Sequence, residues 1–207
     1  MAYITFQPSD YFNTKLYTGN GSTQSITGVG FQPDWLWIKN RDGTNNHILQ
    51  DAVRGATKSL ESDGDGAETT SSTRVTSFDS DGFSIGSAGT NNTNTNNYVS
   101  WNWKANGSGS ANTDGSISST VSANTTAGFS IVTYTGTGSA ATVGHGLGSA
   151  PSVIIQKKTS ASATWLVKHP GIGTNGYIRL DATNTSATDS AIWNSTDPTS
   201  TVFSIGT

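Results

Sequence analysis

The chain repeats itself once, and the period is the length of a domain. FNTKLYTGNGS (Phe12 to Ser22) reads onto FSIVTYTGTGS (Phe129 to Ser139), with Phe12 on Phe129 and Tyr17 on Tyr134 at an offset of 117. GVGFQPDWLWIK lies on GLGSAPSVIIQK and sets Pro33 on Pro151 at an offset of 118. HILQ from His47 falls on WLVK from Trp165, and FSIGS from Phe83 falls on FSIGT from Phe203 at an offset of 120. The slow rise of the offset corresponds to single-residue insertions in loops. A period this long is too large for a solenoid turn or a propeller blade, so each copy must build its own core.

Composition decides what those cores are made of. Glycine contributes 24 of the 207 residues, and Ser, Thr and Asn fill much of the rest. These residues bond to nearby backbone in turns and weaken helices. No stretch carries apolar residues at helical spacing. We therefore expect an all-β chain of two tandem antiparallel β-sandwich repeats, of jelly-roll or lectin-like type. The expected divisions are an N-terminal arm over 1–11, repeat one over 12–105, a Gly/Ser/Asn-rich linker over 106–116 and repeat two over 117–207.

Alternation marks the strands. WLWIK after Pro33 and SVIIQKK after Pro151 are corresponding strands, and VTSFDSDGFSIG is a hairpin turning at Asp81 and Gly82. YVSWNWKA puts Val99, Trp101 and Trp103 on one face and Tyr98, Ser100 and Asn102 on the other. The paired tryptophans Trp35 with Trp37 and Trp101 with Trp103 are expected to point inward, because large aromatics dominate small cores. Copy two reaches FSIGT with no counterpart of YVSWNWKA. It is thus expected to lack its final strand, which either a continuation past Thr207 or a strand from another chain would supply.

Charged residues are 12% of the chain and the net charge is −3. This gives no basic patch for nucleic acid. No apolar run approaches a membrane helix, so no membrane insertion is expected. With no cysteine, disulfides and thiolate metal sites are excluded. The start, MAYITFQPSDYF, lacks the basic and apolar regions of a signal peptide.

The phrases GFQPDWLWIKNRD, DAVRGATK, SFDSDGF and SANTTAGFSIVTYTG resemble a family of repeat-containing virion proteins of marine tailed bacteriophages, tail fibre-like or appendage-like and largely unassigned. The resemblance covers almost all of copy one and weakens after Pro151. It implies a structural protein of the virion, assembled in the host cytoplasm, and brings no catalytic residues with it.

Candidate sites are few. His47, His145 and His169 lie far apart, outside any HxxxH pattern, and His145 reads as a turn residue in VGHGLG. Glu61, Asp63, Asp65 and Glu68 gather oxygens of the kind calcium takes, but in Asp-Gly turns and without EF-hand spacing. Asp51 and Arg54 suit a local ion pair. No two acids present themselves as a glycosidase pair. For glycan contact the candidates are Trp193, set among polar residues and expected to be exposed, and Asn92, Asn94 and Asn96 in the loop TNNTNTNN. For assembly they are Tyr3, Ile4 and Phe6 of the arm. The expected function is a non-enzymatic virion surface protein, a tail fibre or appendage that touches host surface carbohydrate. A capsid decoration or head fibre is the alternative, and a fibre-borne glycan depolymerase comes third. No cofactor is expected. The expected partners are other virion proteins and further copies of the chain.

Overall fold

The computed structural model describes residues 7–207 and is all-β, with antiparallel sheets throughout. It divides into two compact units. One is Met1–Glu61 with Glu68–Ser108, and the other is Ser62–Ala67 with Gly109–Thr207.

Among the described residues the first unit holds nine strands: β1 (Phe12–Thr18), β2 (Gln24–Thr27), β3 (Trp35–Asn40), β4 (Ile48–Asp51), β5 (Lys58–Glu61), β6 (Thr69–Thr70), β7 (Val75–Asp79), β8 (Gly82–Ile85) and β9 (Asn97–Trp103). Six form a sheet in the order β1-β9-β3-β4-β5-β6, and three form a second in the order β2-β8-β7. Strand β9 lies between β1 and β3 and pairs with both along its length, Trp101 meeting Thr14 on one side and Trp37 on the other. The two sheets share one core. Tyr17, Leu36, Ile38, Ile48 and Tyr98 come from the larger sheet, and Ile26, Val75, Phe83 and Ile85 from the smaller. Tyr17 stacks on Tyr98 at 5.1 Å between ring centroids and meets Phe83 edge-on. Burial, with the Tyr98 phenol beside it, holds the Tyr17 hydroxyl well above its usual pKa. It stays neutral and donates to the Asn91 carbonyl at 2.8 Å.

The second unit holds β10 (Ser110–Asn112), β11 (Ser119–Asn124), β12 (Phe129–Tyr134), β13 (Ala141–Gly144), β14 (Ile154–Gln156), β15 (Leu166–Lys168), β16 (Gly176–Arg179), β17 (Ala187–Thr188) and β18 (Val202–Ile205). Its sheets run β10-β11-β12, β13-β18 and β14-β15-β16-β17. Within 106–116, read from sequence as linker, residues 110–112 thus form a strand. Pairing repeats between the units: Gln24 faces Ile85 in the first, and Ala141 faces Ile205 in the second. The glycine closing each FSIG phrase is fixed by close backbone approach. A Cβ on Gly86 would sit 2.7 Å from the Thr73 carbonyl oxygen, and one on Gly206 would sit 1.5 Å from that of Ala191.

The tryptophans reverse the sequence expectation. Trp35, Trp37, Trp101 and Trp103 are only half-buried and lie on the outer face of the six-stranded sheet. The inner face of β9 carries Tyr98, Ser100 and Asn102, all fully buried. The backbone takes up their donors. Asn102 Nδ2 donates to the carbonyls of Asn13 (3.0 Å) and Ser100 (3.2 Å), and Ser100 Oγ donates to that of Lys15 (3.5 Å). Tyr17, Tyr98 and Phe83 occupy the space between the sheets instead.

Candidate functional site: an aromatic sheet face

The outer face of the first unit gathers aromatic rings from three adjacent strands. Register puts Phe12 of β1 opposite Trp103 of β9, and Trp103 opposite Trp35 of β3. Their ring centroids lie 4.7 Å and 4.4 Å apart. Two residues along, Trp101 meets Trp37 at 6.0 Å, and Trp37 meets Trp35 at 5.7 Å. The indoles cross edge to face, the arrangement aromatic quadrupoles favour. Alternation puts Phe12, Trp35, Trp37, Trp101 and Trp103 on the same face of their strands, and the pairing places them side by side.

One end of the row is apolar and the other is charged. Leu16, two residues beyond Thr14 on β1, is 59% exposed, and Phe12 is 37% exposed. On the opposite side Asp51 pairs with Trp35 across β4. Arg54 donates from Nε to Asp51 at 2.6 Å and from Nη1 to Glu68 at 3.0 Å. Its backbone N–H also reaches Asp51. The local ion pair expected at Asp51 and Arg54 is present, and it closes the turn after β4. Trp37 Nε1 is shielded and unpaired, so this indole offers ring carbon and not its N–H.

The residues selected from sequence for glycan contact fall elsewhere. Trp193 is fully buried, which corrects the expected exposure. Its Nε1 donates to the Gly176 carbonyl at 3.1 Å, and the Lys168 ammonium sits 5.7 Å from its ring centroid. Polar neighbours in sequence concealed a core position. Asn92 is also fully buried and acts as a loop clamp. Its Oδ1 accepts from Asn20 N at 2.9 Å, and its Nδ2 donates to the Gly86 carbonyl at 2.8 Å. Asn94 is exposed and Asn96 half-buried, the latter accepting from Gly19 N through its carbonyl. Tyr3, Ile4 and Phe6 lie outside the described residues.

The acidic loop does not converge. Glu61 turns to Arg74 at 2.7 Å and Glu68 to Arg54. Ser62–Ala67 belongs to the second unit. There the Asp65 carbonyl accepts from Ala163 N at 2.9 Å and Lys157 Nζ at 2.8 Å, and the Gly64 carbonyl accepts from Trp165 Nε1 at 3.1 Å. Among the described residues no group of three or more His, Cys, Asp or Glu side chains gathers to hold a metal. His145 is a buried turn residue. Its Nδ1 accepts from Leu147 N, so Nε2 carries the proton toward the Thr199 carbonyl at 3.2 Å. The second unit also has an open cleft of about 380 Å³ beside Pro151, Pro170 and Pro198. Its lysine, Lys168, is already bonded to Asp197 (3.1 Å) and the Thr174 carbonyl (2.6 Å).

Fold and surface together define an all-β protein of two antiparallel units, one of them carrying an aromatic sheet face. The chain belongs to a family described as a domain of unknown function, DUF7483, whose model matches residues 7–207. No curated protein and no solved structure matches it.

Proposed function

We propose that the protein is a non-catalytic, carbohydrate-contacting surface protein of a phage virion, of tail fibre or appendage type. The observation that carries the contact is the row Phe12, Trp103, Trp35, with Trp101 and Trp37 beside it. Half-exposed aromatic rings grouped on one sheet face present the flat apolar surface on which the C–H face of a sugar ring stacks. Apolar patches rimmed by polar groups are what interaction sites look like. The largely buried ion-paired group of Asp51, Arg54 and Glu68 closes the row on its polar side. The virion setting draws on the resemblance of the GFQPDWLWIKNRD and SANTTAGFSIVTYTG phrases to phage repeat proteins, and on a polar, cysteine-free composition.

The test is binding of the full chain to a panel of bacterial surface polysaccharides, compared with Trp101→Ala and Trp103→Ala variants. The expected result is retention of at least one polysaccharide class by the native chain and loss in both variants, with unchanged β-sheet circular dichroism. Equal binding by the variants, or no retention by the native chain, overturns the carbohydrate reading.

A further inference from the structure

The second unit has a place for a strand that its own described residues do not fill. In the first unit β9 sits between β1 and β3 and pairs with both. The counterparts of those neighbours are β12 and β14. Among the described residues β12 pairs only with β11, and β14 only with β15. Both nonetheless line one core: Val132, Tyr134 and Ile154 pack against the cluster of Val143 and Phe203. Gln156 Nε2 donates to the Tyr134 hydroxyl, so the two strands face each other through side chains and not through backbone. The outward residues beside the gap are apolar and open. Val153 is 49% exposed and Ile155 is 42% exposed. They stand where Trp35 and Trp37 stand in the first unit, and there Trp103 and Trp101 of β9 lean on them. An apolar strand at the end of a sheet is a template for an added strand.

The chain contains a segment with the character of the missing strand. β9 reads Tyr98-Val99-Ser100-Trp101-Asn102, and the N-terminus reads Tyr3-Ile4-Thr5-Phe6-Gln7. Position by position these are a tyrosine, a β-branched aliphatic, a small hydroxyl residue, a large aromatic and a carboxamide. Pro8 follows where β9 has Trp103, and it opens the 3-10 turn Pro8–Asp10 that leads into β1. Gln7 is already extended, at φ −114° and ψ 123°.

We infer that residues 1–7 of a second copy insert between β12 and β14 as this strand. Carrying over the register of β9 sets Tyr3 against Tyr134, as Tyr98 stacks on Tyr17. It sets Thr5 beside Gln156, as Ser100 lies beside Ile38, and lays Phe6 over Ile155, as Trp101 leans on Trp37. The segment runs directly into the turn Pro8–Asp10 of the first unit. Each copy then donates one strand and accepts one. Such a contact is head-to-tail, and it propagates into a filament unless the rotation closes a ring. This inference stands apart from the carbohydrate reading and does not involve the aromatic face.

The native chain has no cysteine, so disulfide trapping has no background. A Thr5→Cys chain mixed with a Gln156→Cys chain should give one disulfide-linked heterodimer on mild oxidation. The native chain should self-associate with rising concentration in sedimentation. Deleting Met1–Phe6 should abolish association, and free peptide of residues 1–7 should dissolve preformed assemblies. Ile155→Asp should prevent association while leaving the thermal melt of the first unit in place. Three outcomes overturn the inference: no heterodimer, association unchanged by the deletion, or a link formed only within single chains of the Thr5→Cys/Gln156→Cys double variant at high dilution.

Discussion

Buried polar side chains hold the two sheets of the first unit in register. Gln50 on β4 is fully buried. Its Oε1 accepts from Val75 N of the opposite sheet at 3.2 Å, and its Nε2 donates to the Ala56 carbonyl. Gln50→Leu leaves both backbone groups unpaired in the interior, at a cost of about 1–3 kcal/mol. A melt of the variant should fall by several degrees. Asp81 shows the same economy at a turn. Its carboxylate accepts from Gly30 N at 2.7 Å and Gly28 N at 2.9 Å. Those two bonds, Gly30 first, pull its pKa below the usual carboxylate range. A folded pKa below the unfolded one means stabilisation that is present above the ordinary carboxylate range and lost as pH falls through the lowered value. Asp81→Asn should therefore melt below the native chain at neutral pH, and the two melting curves should converge in acid. None of this was legible beforehand. A glutamine between Leu49 and Asp51, or an aspartate in a Ser-Asp-Gly turn, looks the same in sequence whether or not distant backbone groups depend on it.

The strands β3, β7, β8 and β9 were legible, and so was the division of β3 and β9 into faces, whereas β10 lay hidden in a Gly/Ser/Asn-rich stretch. Alternation separated Trp35 and Trp37 from Leu36 and Ile38, and Trp101 and Trp103 from Ser100 and Asn102. What alternation cannot supply is which face is inner. The greater bulk of the tryptophans suggested inward, and the structure puts them outward. The decision belongs to the facing sheet, whose Phe83, Ile85 and Val75 pack against Leu36 and Ile38. The two faces should respond differently to truncation. Leu36→Ala opens a cavity in a fully buried site and should cost about 2–5 kcal/mol. Trp103→Ala removes a half-buried ring and should cost less than a buried tryptophan's about 3–5 kcal/mol. Chemical denaturation of both variants checks the order, and a larger loss for Trp103→Ala would mean that the outer face is core after all. Trp193 failed in the opposite sense. Its polar neighbours suggested exposure, but Gly176 and Lys168 enclose it.

Over the whole molecule, the chain's order and its compact units do not coincide. Residues 62–67 follow β5 of the first unit yet belong to the second, where the carbonyls of Gly64 and Asp65 satisfy Trp165 Nε1 and Ala163 N. A chain of residues 109–207 alone lacks those acceptors. It should melt lower than the same chain supplied with a peptide of residues 62–67, and amide exchange at Ala163 should slow when the peptide is added. Replacing residues 62–67 by a short turn in the full chain should destabilise the second unit and spare the first, read as two separate exchange-protection profiles.

Sequence alone determined the β class, the period near 118 and the hairpin turning at Asp81 and Gly82, because each depends on local propensity and on order along the chain. It also supplied the ion pair at Asp51 and Arg54, three residues apart. The tertiary structure decided the sidedness of the tryptophans, the burial of Trp193 and Asn92, and the placing of residues 62–67. Each of these depends on what lies opposite a residue in space, and a single sequence carries no record of its opposite surface.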